Sequence, residues 1–224
     1  MRFSLVLAAL AISSAAFAQQ DHPFQVGFAA NLNIGDSVVN ISNDGFRAGV
    51  FGAIPATAGN LCANIYVFDP QEEEIGCCAC LVTPNGLNSL SAKSDLISNN
   101  LTPAVPTSIV IKVLGTLPGQ DSTGAITVCN PATTNTILTN TSRGLVVWGT
   151  TLEPNSTPGT YNAVAVPFLN ASLVGEDVRG GIPVPTPGQE VDGLARLCNF
   201  IQANGTGFGI CKSCRLGALG GAKQ

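Results

Sequence analysis

Three cysteines fall within four positions at Cys77-Cys78-Ala79-Cys80, directly behind Glu72-Glu73-Glu74, and a second cluster, Cys211-Lys212-Ser213-Cys214, lies near the other end of the chain. Cys62, Cys129 and Cys198 bring the cysteines to eight, against one histidine and one tryptophan. Cysteines at these spacings offer three chemistries: a disulfide framework, a thiolate metal site or a redox pair. The metal reading takes Cys211-x-x-Cys214 as a half-site completed by the Cys77–Cys80 cluster. The redox reading lacks the helix N-terminus that normally lowers a thiol pKa in a reactive C-x-x-C. Arg215 stands where a c-type haem motif needs histidine. An even number of cysteines in an exported chain favours disulfides, so all eight are read as bridge residues.

Geometry narrows the pairing. On a strand over 75–82, side chains alternate between faces, which puts Cys78 and Cys80 on one face and Cys77 on the other. Bonds within the triplet are disfavoured by reach and ring strain. Each of the three therefore seeks a distant partner. A turn centred near Glu72 brings Cys62 close to opposite Cys80, while Cys198, Cys211 and Cys214 lie in the C-terminal segment. We expect the Cys77–Cys80 strand to be the hub to which that segment is tied.

Other constellations are thin. A Ser or Cys nucleophile needs a base, and the only histidine, His22, lies close to the start and reads as a solvated residue. The carboxylates fall mostly in predicted loops rather than at the paired geometry of a glycosidase. Glu72–Glu74 reads as a solvated hairpin tip, with a calcium site shared with Asp69 as a lesser alternative. Trp148, within Gly144–Leu152, reads as core rather than as a sugar platform. Asn204–Gly209 is glycine-rich but follows a helix and lacks a Lys-Ser/Thr partner, so it reads as a flexible turn and not a phosphate loop. Asn-x-Ser/Thr occurs at Asn40, Asn100, Asn140, Asn155, Asn170 and Asn204 and is uninformative about function. No catalytic, cofactor-binding or metal residue is assigned, and no cofactor is expected.

The elements that would position these residues are strands. Short runs rich in Val, Ile, Thr and aromatics, separated by Gly, Pro, Asn and Ser, predict strands near 24–32, 36–42, 62–68, 75–82, 107–115, 125–130, 144–152 and 161–172. Asn43-Asp44-Gly45 and Asp69-Pro70 mark tight turns. Residues 88–101 are consistent with a helical turn or an irregular crossover. Residues 180–189, rich in Pro and Gly, predict an extended connector without ladder hydrogen bonds. Beyond it Val191, Leu194, Ala195, Cys198 and Ile201 make one apolar stripe of a helix over 190–203, which Asn204-Gly205 ends. The expected fold is all-β: an antiparallel β-sandwich of about eight strands with a short amphipathic C-terminal helix and a disulfide-tethered tail. Its organisation is a signal peptide over 1–18, a β-sandwich domain over 19–179, the connector over 180–189, and the helix with its Cys-rich tail over 190–224.

Arg2, the apolar run that follows and Ala16-Phe17-Ala18 have the shape of a cleavable export signal. With only 11% charged residues and a net charge of −4, the chain cannot present a basic stripe, which excludes nucleic acid and anionic membrane as partners. An apolar fraction of 45% is enough for a core, and no later stretch is long enough to span a bilayer. The chain therefore reads as a secreted, non-catalytic structural or interaction protein, extracellular or at the cell surface. Its partner would be itself or another extracellular protein or glycan. The nearly charge-free strands 107–115 and 144–152 motivate self-association should either lie at a sheet edge. The alternative is a secreted glycan-active protein, carbohydrate-binding or glycoside-cleaving.

Overall fold

The computed structural model describes residues 22–46, 59–133, 140–173, 176–179, 182–185 and 188–214. The export signal expected over 1–18 lies outside them. Two antiparallel sheets face each other as a β-sandwich. Sheet A has the order β11-β1-β6-β3-β4, built from β1 (Phe24–Ala29), β3 (Leu61–Phe68), β4 (Glu74–Val82), β6 (Ile109–Thr116) and the two-residue β11 (Leu169–Asn170). Sheet B has the order β10-β9-β2-β5, built from β2 (Val38–Asn43), β5 (Leu87–Ser91), β9 (Leu145–Pro154) and β10 (Tyr161–Pro167). Short hairpins join β7 (Gly119–Gln120) to β8 (Ile126–Val128), and β12 (Glu176–Arg179) to β13 (Ile182–Pro185). A 16-residue helix, α1 (Gly188–Ala203), completes the fold.

The strands follow the periodicity that predicts them. In β2 the alternate residues Val39 and Ile41 point inward and are fully buried, whereas Val38, Asn40 and Ser42 point out. In β9, Leu145, Val147, Gly149 and Thr151 face inward in the same way. The core between the sheets joins Val39, Ile41, Leu90 and Val147 to Ile65, Val67, Ile111 and Val113. Gln25 crosses this interior and satisfies both its polar atoms. Its Nε2 donates to the Leu145 carbonyl at 2.6 Å, and its Oε1 accepts from the Val147 N–H at 3.3 Å.

β3 and β4 do not alternate, because nearly every residue of both is buried. Their outer face lies beneath α1, where Phe24, Tyr66, Cys77 and Leu114 pack against Val191, Leu194, Ala195 and Cys198. The helix stripe thus falls where the sequence places it. Its end is a Schellman arrangement: the Thr206 N–H donates to the Ile201 carbonyl and the Gly205 N–H to that of Gln202, with Gly205 at φ +76°.

Three segments differ from expectation. Residues 88–101 contain the strand β5 and then one π-helical turn over Ala92–Leu96, with Ser91 accepting from the Ser94 N–H as its cap. Within the expected connector over 180–189, Ile182–Pro185 is the strand β13, whose backbone ladder with the preceding β12 pairs Glu176 with Pro185 and Arg179 with Ile182. Strand 161–172 divides at Phe168, whose ring is buried in the core and occupies the space a side chain at Gly27 would need.

Candidate functional site

The sulfur chemistry resolves into four disulfides: Cys62–Cys129, Cys77–Cys198, Cys78–Cys211 and Cys80–Cys214. Their Cα separations, 5.0 to 5.7 Å, lie in the normal range for such bridges. The strand carrying Cys77–Cys80 is the hub expected from its alternation. Cys77 leaves the outer face of β4 for the helix, while Cys78 and Cys80 leave the inner face for Cys211 and Cys214. The expectation that Cys62 approaches Cys80 is overturned. The β3–β4 register sets Cys62 opposite Leu81 and Ala63 opposite Cys80, with a bulge between Val67 and Phe68. That one-residue slip turns Cys62 to the other face of the sheet, and its partner is Cys129.

Between the bridges the tail runs along the free edge of β4. The Phe208 N–H donates to the Cys77 carbonyl at 3.0 Å, the Ala79 N–H to Gly209 at 3.2 Å, and the Cys211 N–H back to Ala79 at 3.3 Å. Ala79 and Ile210 form a parallel bridge. The glycine-rich stretch read as a flexible turn is therefore held at both ends, with the Gly207 N–H also donating to the Asn99 carbonyl at 2.6 Å. Asp95, buried in the π-helical turn, accepts from the backbone N–H and the hydroxyl of Ser213, so the residue between Lys212 and Cys214 is fixed from the sandwich side.

This arrangement decides between the chemistries of the cysteines. Cys211 and Cys214 are each joined to β4 rather than to each other, so the segment holds no C-x-x-C redox disulfide. The sulfurs of Cys80, Cys211 and Cys214 lie within 4.8 Å of one another, as do the ligand atoms of Glu74, Cys77 and Cys198. Each of these sulfurs is already bonded to another sulfur and offers no thiolate to an ion.

The acidic hairpin tip is only partly solvated. Glu72 and Glu73 are exposed, and Asp69 caps the turn by accepting from the N–H groups of Gln71 and Glu73. Glu74, the first residue of β4, is 6% exposed, and neither of its oxygens has a hydrogen-bond partner among the described residues. It lies on the outer face beneath α1, with Tyr66 and the Cys77–Cys198 bridge. Burial pushes its carboxyl up to about 9, a shift that the charge of Lys112 opposes. Burial, and secondarily the nearby Glu74, also drives the Tyr66 phenol upward; its hydroxyl donates to the Pro131 carbonyl at 2.9 Å. Lys112 reaches Glu190 in the first turn of α1 at 2.8 Å and lies over the Phe68 ring. The carboxylate cluster imagined for calcium is thus divided, with Asp69 committed to the backbone and Glu74 turned inward. His22 is half-buried rather than solvated, and its Nδ1 accepts from the Phe24 N–H at 3.3 Å.

A second region emerges on sheet B. Its outer face carries Val38, Asn40 and Ser42 of β2 beside Val146, Trp148 and Thr150 of β9. Leu87, Ser89 and Ser91 of β5 and the small residues Ala163 and Ala165 of β10 complete it. None of these side chains is charged. Nothing among the described residues covers this face, on which Val146 and Leu87 are 48% and 50% exposed. Trp148, expected in the core, belongs here: it is half-buried, opposite Asn40 on one side and Pro167 on the other. The Ser89 hydroxyl donates to Asn40 Oδ1 at 2.7 Å, which ties the polar row together.

Comparison with protein-family models, with curated proteins and with solved structures finds no match for this chain. Four disulfides, and the lack among the described residues of a helix long and apolar enough to cross a membrane, are compatible with an extracellular location.

Proposed function

We propose that the chain is a secreted, non-catalytic structural or interaction protein of the extracellular space. In this reading the sulfur-stapled side of the molecule is scaffold and the outer face of sheet B is the contact surface. One observation carries it: a sheet face with no charged side chain, left uncovered among the described residues, on a molecule whose other sheet has its outer face largely closed over β3 and β4 by α1. Charge depletion with an aromatic near the middle is the composition of an interface core. A covalently held scaffold suits that role, because a pre-organised surface loses little entropy when it binds. The test is retention of the disulfide-intact protein on the extracellular matrix or cell surface of its producer. Thr150→Lys and Val146→Lys, each placing a charge on the face, should release it while leaving the thermal melt unchanged. Equal retention of both variants would remove this reading.

A glycan-binding role is the second reading, favoured by Trp148 lying on the open face among Asn40, Ser89 and Thr150. An aromatic ring with neighbouring amides and hydroxyls is a surface on which a sugar ring can stack and hydrogen-bond. Pull-down on insoluble polysaccharides separates the two readings. The glycan reading requires binding that Trp148→Ala abolishes.

A further inference from the structure

Among the described residues the longest unprotected edge of the sandwich is β10. The edge of β4 is paired by the tail, and β11 at the far side of sheet A is two residues long. β5, at one side of sheet B, leans on its neighbour through the Asn88 side-chain amide, which donates to the Leu81 carbonyl. It is flanked by Asp36, which accepts from the Ser91 hydroxyl and the Lys93 N–H. β10 has none of these devices. Among the described residues it pairs only with β9, along the stretch from Trp148 to Pro154, most of which lies past the point where β9 leaves β2 at Thr150. All seven of its residues are exposed or half-exposed, on both faces of the strand. No charged residue occurs between Glu153 and Glu176, so the charged gatekeepers that normally discourage edge pairing are missing, and Pro167 interrupts the edge only at its end.

We propose that β10 is a homotypic docking edge, and that its occupant is the β10 strand of a second copy of this chain, added antiparallel across a two-fold axis. Two features favour a second copy over another partner. A two-fold sets two identical strands side by side, so charges on this strand would be brought near like charges of the copy, and the strand has none. The strand is also matched in size over its central five residues, Asn162 to Val166. An axis at Val164 sets Ala163 against Ala165, Asn162 against Val166 and Tyr161 against Pro167, with Pro167 ending the ladder because it has no N–H to give. The pairing would cover Val164 and Tyr161, now 39% and 44% exposed. It would also join two copies of sheet B into one continuous sheet of eight strands with a charge-free outer face. The inference rests on the reading of the chain as a non-catalytic interaction protein, and it concerns the strand edge rather than the sheet face.

Sedimentation of the full chain, disulfides intact, from micromolar to millimolar concentration at neutral pH is the test. A reversible dimer is expected. Val164→Lys should raise its dissociation constant about tenfold or more, since two ammonium groups then face each other across the axis. Mixing Val164→Lys with Val164→Glu should restore association as the heterodimer. Thr150→Lys, on β9 one strand in from the edge and opposite Ala165, should leave the dimer essentially unchanged. Unaltered thermal melts for all three variants keep the comparison free of folding effects. A wild-type protein that stays monomeric, a Val164→Lys variant that dimerises normally, or a dimer lost on Thr150→Lys but not on Val164→Lys would each overturn the proposal. A monomer still retained by the matrix through the sheet B face would overturn the edge pairing alone and leave the functional reading standing.

Discussion

The two sheets of this sandwich are made from similar residues and end in opposite circumstances. Sheet A is enclosed on its inner side by sheet B and, over β3, β4 and the Phe24–Leu114 end of β1 and β6, on its outer side by α1, while Phe28 and Val110 stay exposed. Three disulfides lock the helix and tail to its edge strand. Sheet B has one buried side and one open side. The consequence is visible in composition: β3 and β4 can carry apolar or sulfur-bearing residues at consecutive positions, whereas β2 and β5 must alternate. Covalent and apolar closure is concentrated on one sheet, which leaves the other free to present a surface without risk to the core.

The most severe way to break the comparison is to open the covered side. The three bridges at β4 close loops with sequence separations of 121, 133 and 134 residues. Taken alone, each would remove roughly 4–5 kcal/mol of unfolded-chain entropy. They are not additive, because once one is closed the others close only short rings. Replacing all six cysteines by serine should therefore cost at least the full value of one long bridge, whereas Cys80→Ser with Cys214→Ser should cost a fraction of it. Denaturant unfolding of the two variants measures the ratio, and equal losses would contradict the nested-loop account.

Glu74 sharpens the comparison through pH. Its carboxyl is held near 9 in the folded chain against an ordinary value of 4.5, so at neutral pH the folded state keeps a proton that the unfolded state has released. Stability is then highest below about 4.5 and declines as pH rises toward 9, by up to about 1.4 kcal/mol per pH unit. Glu74→Gln, which cannot ionise, should flatten this decline, and the difference between the two unfolding midpoints should widen with pH. Parallel pH profiles for the two proteins would show that the carboxyl is not buried uncharged.

Packing substitutions give smaller, opposed effects. Leu194→Ala, in the stripe of α1, should cost about 2–4 kcal/mol by leaving a void above Tyr66 and Cys77. Thr150→Lys on the open face of sheet B should change stability by less than about 0.5 kcal/mol. Comparable losses at the two positions would mean that sheet B is covered as well.

Much of this was legible from residue order. The five-residue stripe of α1 is buried to the last member, and the alternation of Cys77 against Cys78 and Cys80 sets which face each bridge leaves. Local periodicity dictates both. What escaped depends on information carried by neighbours. The partner of Cys62 turns on the bulge at Val67, a one-position effect that no spacing encodes. Trp148 sits in a run, Leu145 to Leu152, that is apolar on both faces, so the run does not say which face is inward; the pairing with β2 does. Strands 107–115 and 144–152, which would favour self-association only at a sheet edge, lie inside their sheets as β6 and β9, and the uncharged edge is β10. Glu74 shares its sequence context with two solvated glutamates and is distinguished only by the helix that packs over it.

Peptide mapping of the unreduced protein by mass spectrometry tests the central claim most directly. Cross-linked peptides joining Cys77 to Cys198, Cys78 to Cys211 and Cys80 to Cys214 are the predicted result, with Cys62 joined to Cys129. Free thiols at β4, or C-terminal cysteines joined only to one another or to Cys129, would contradict it.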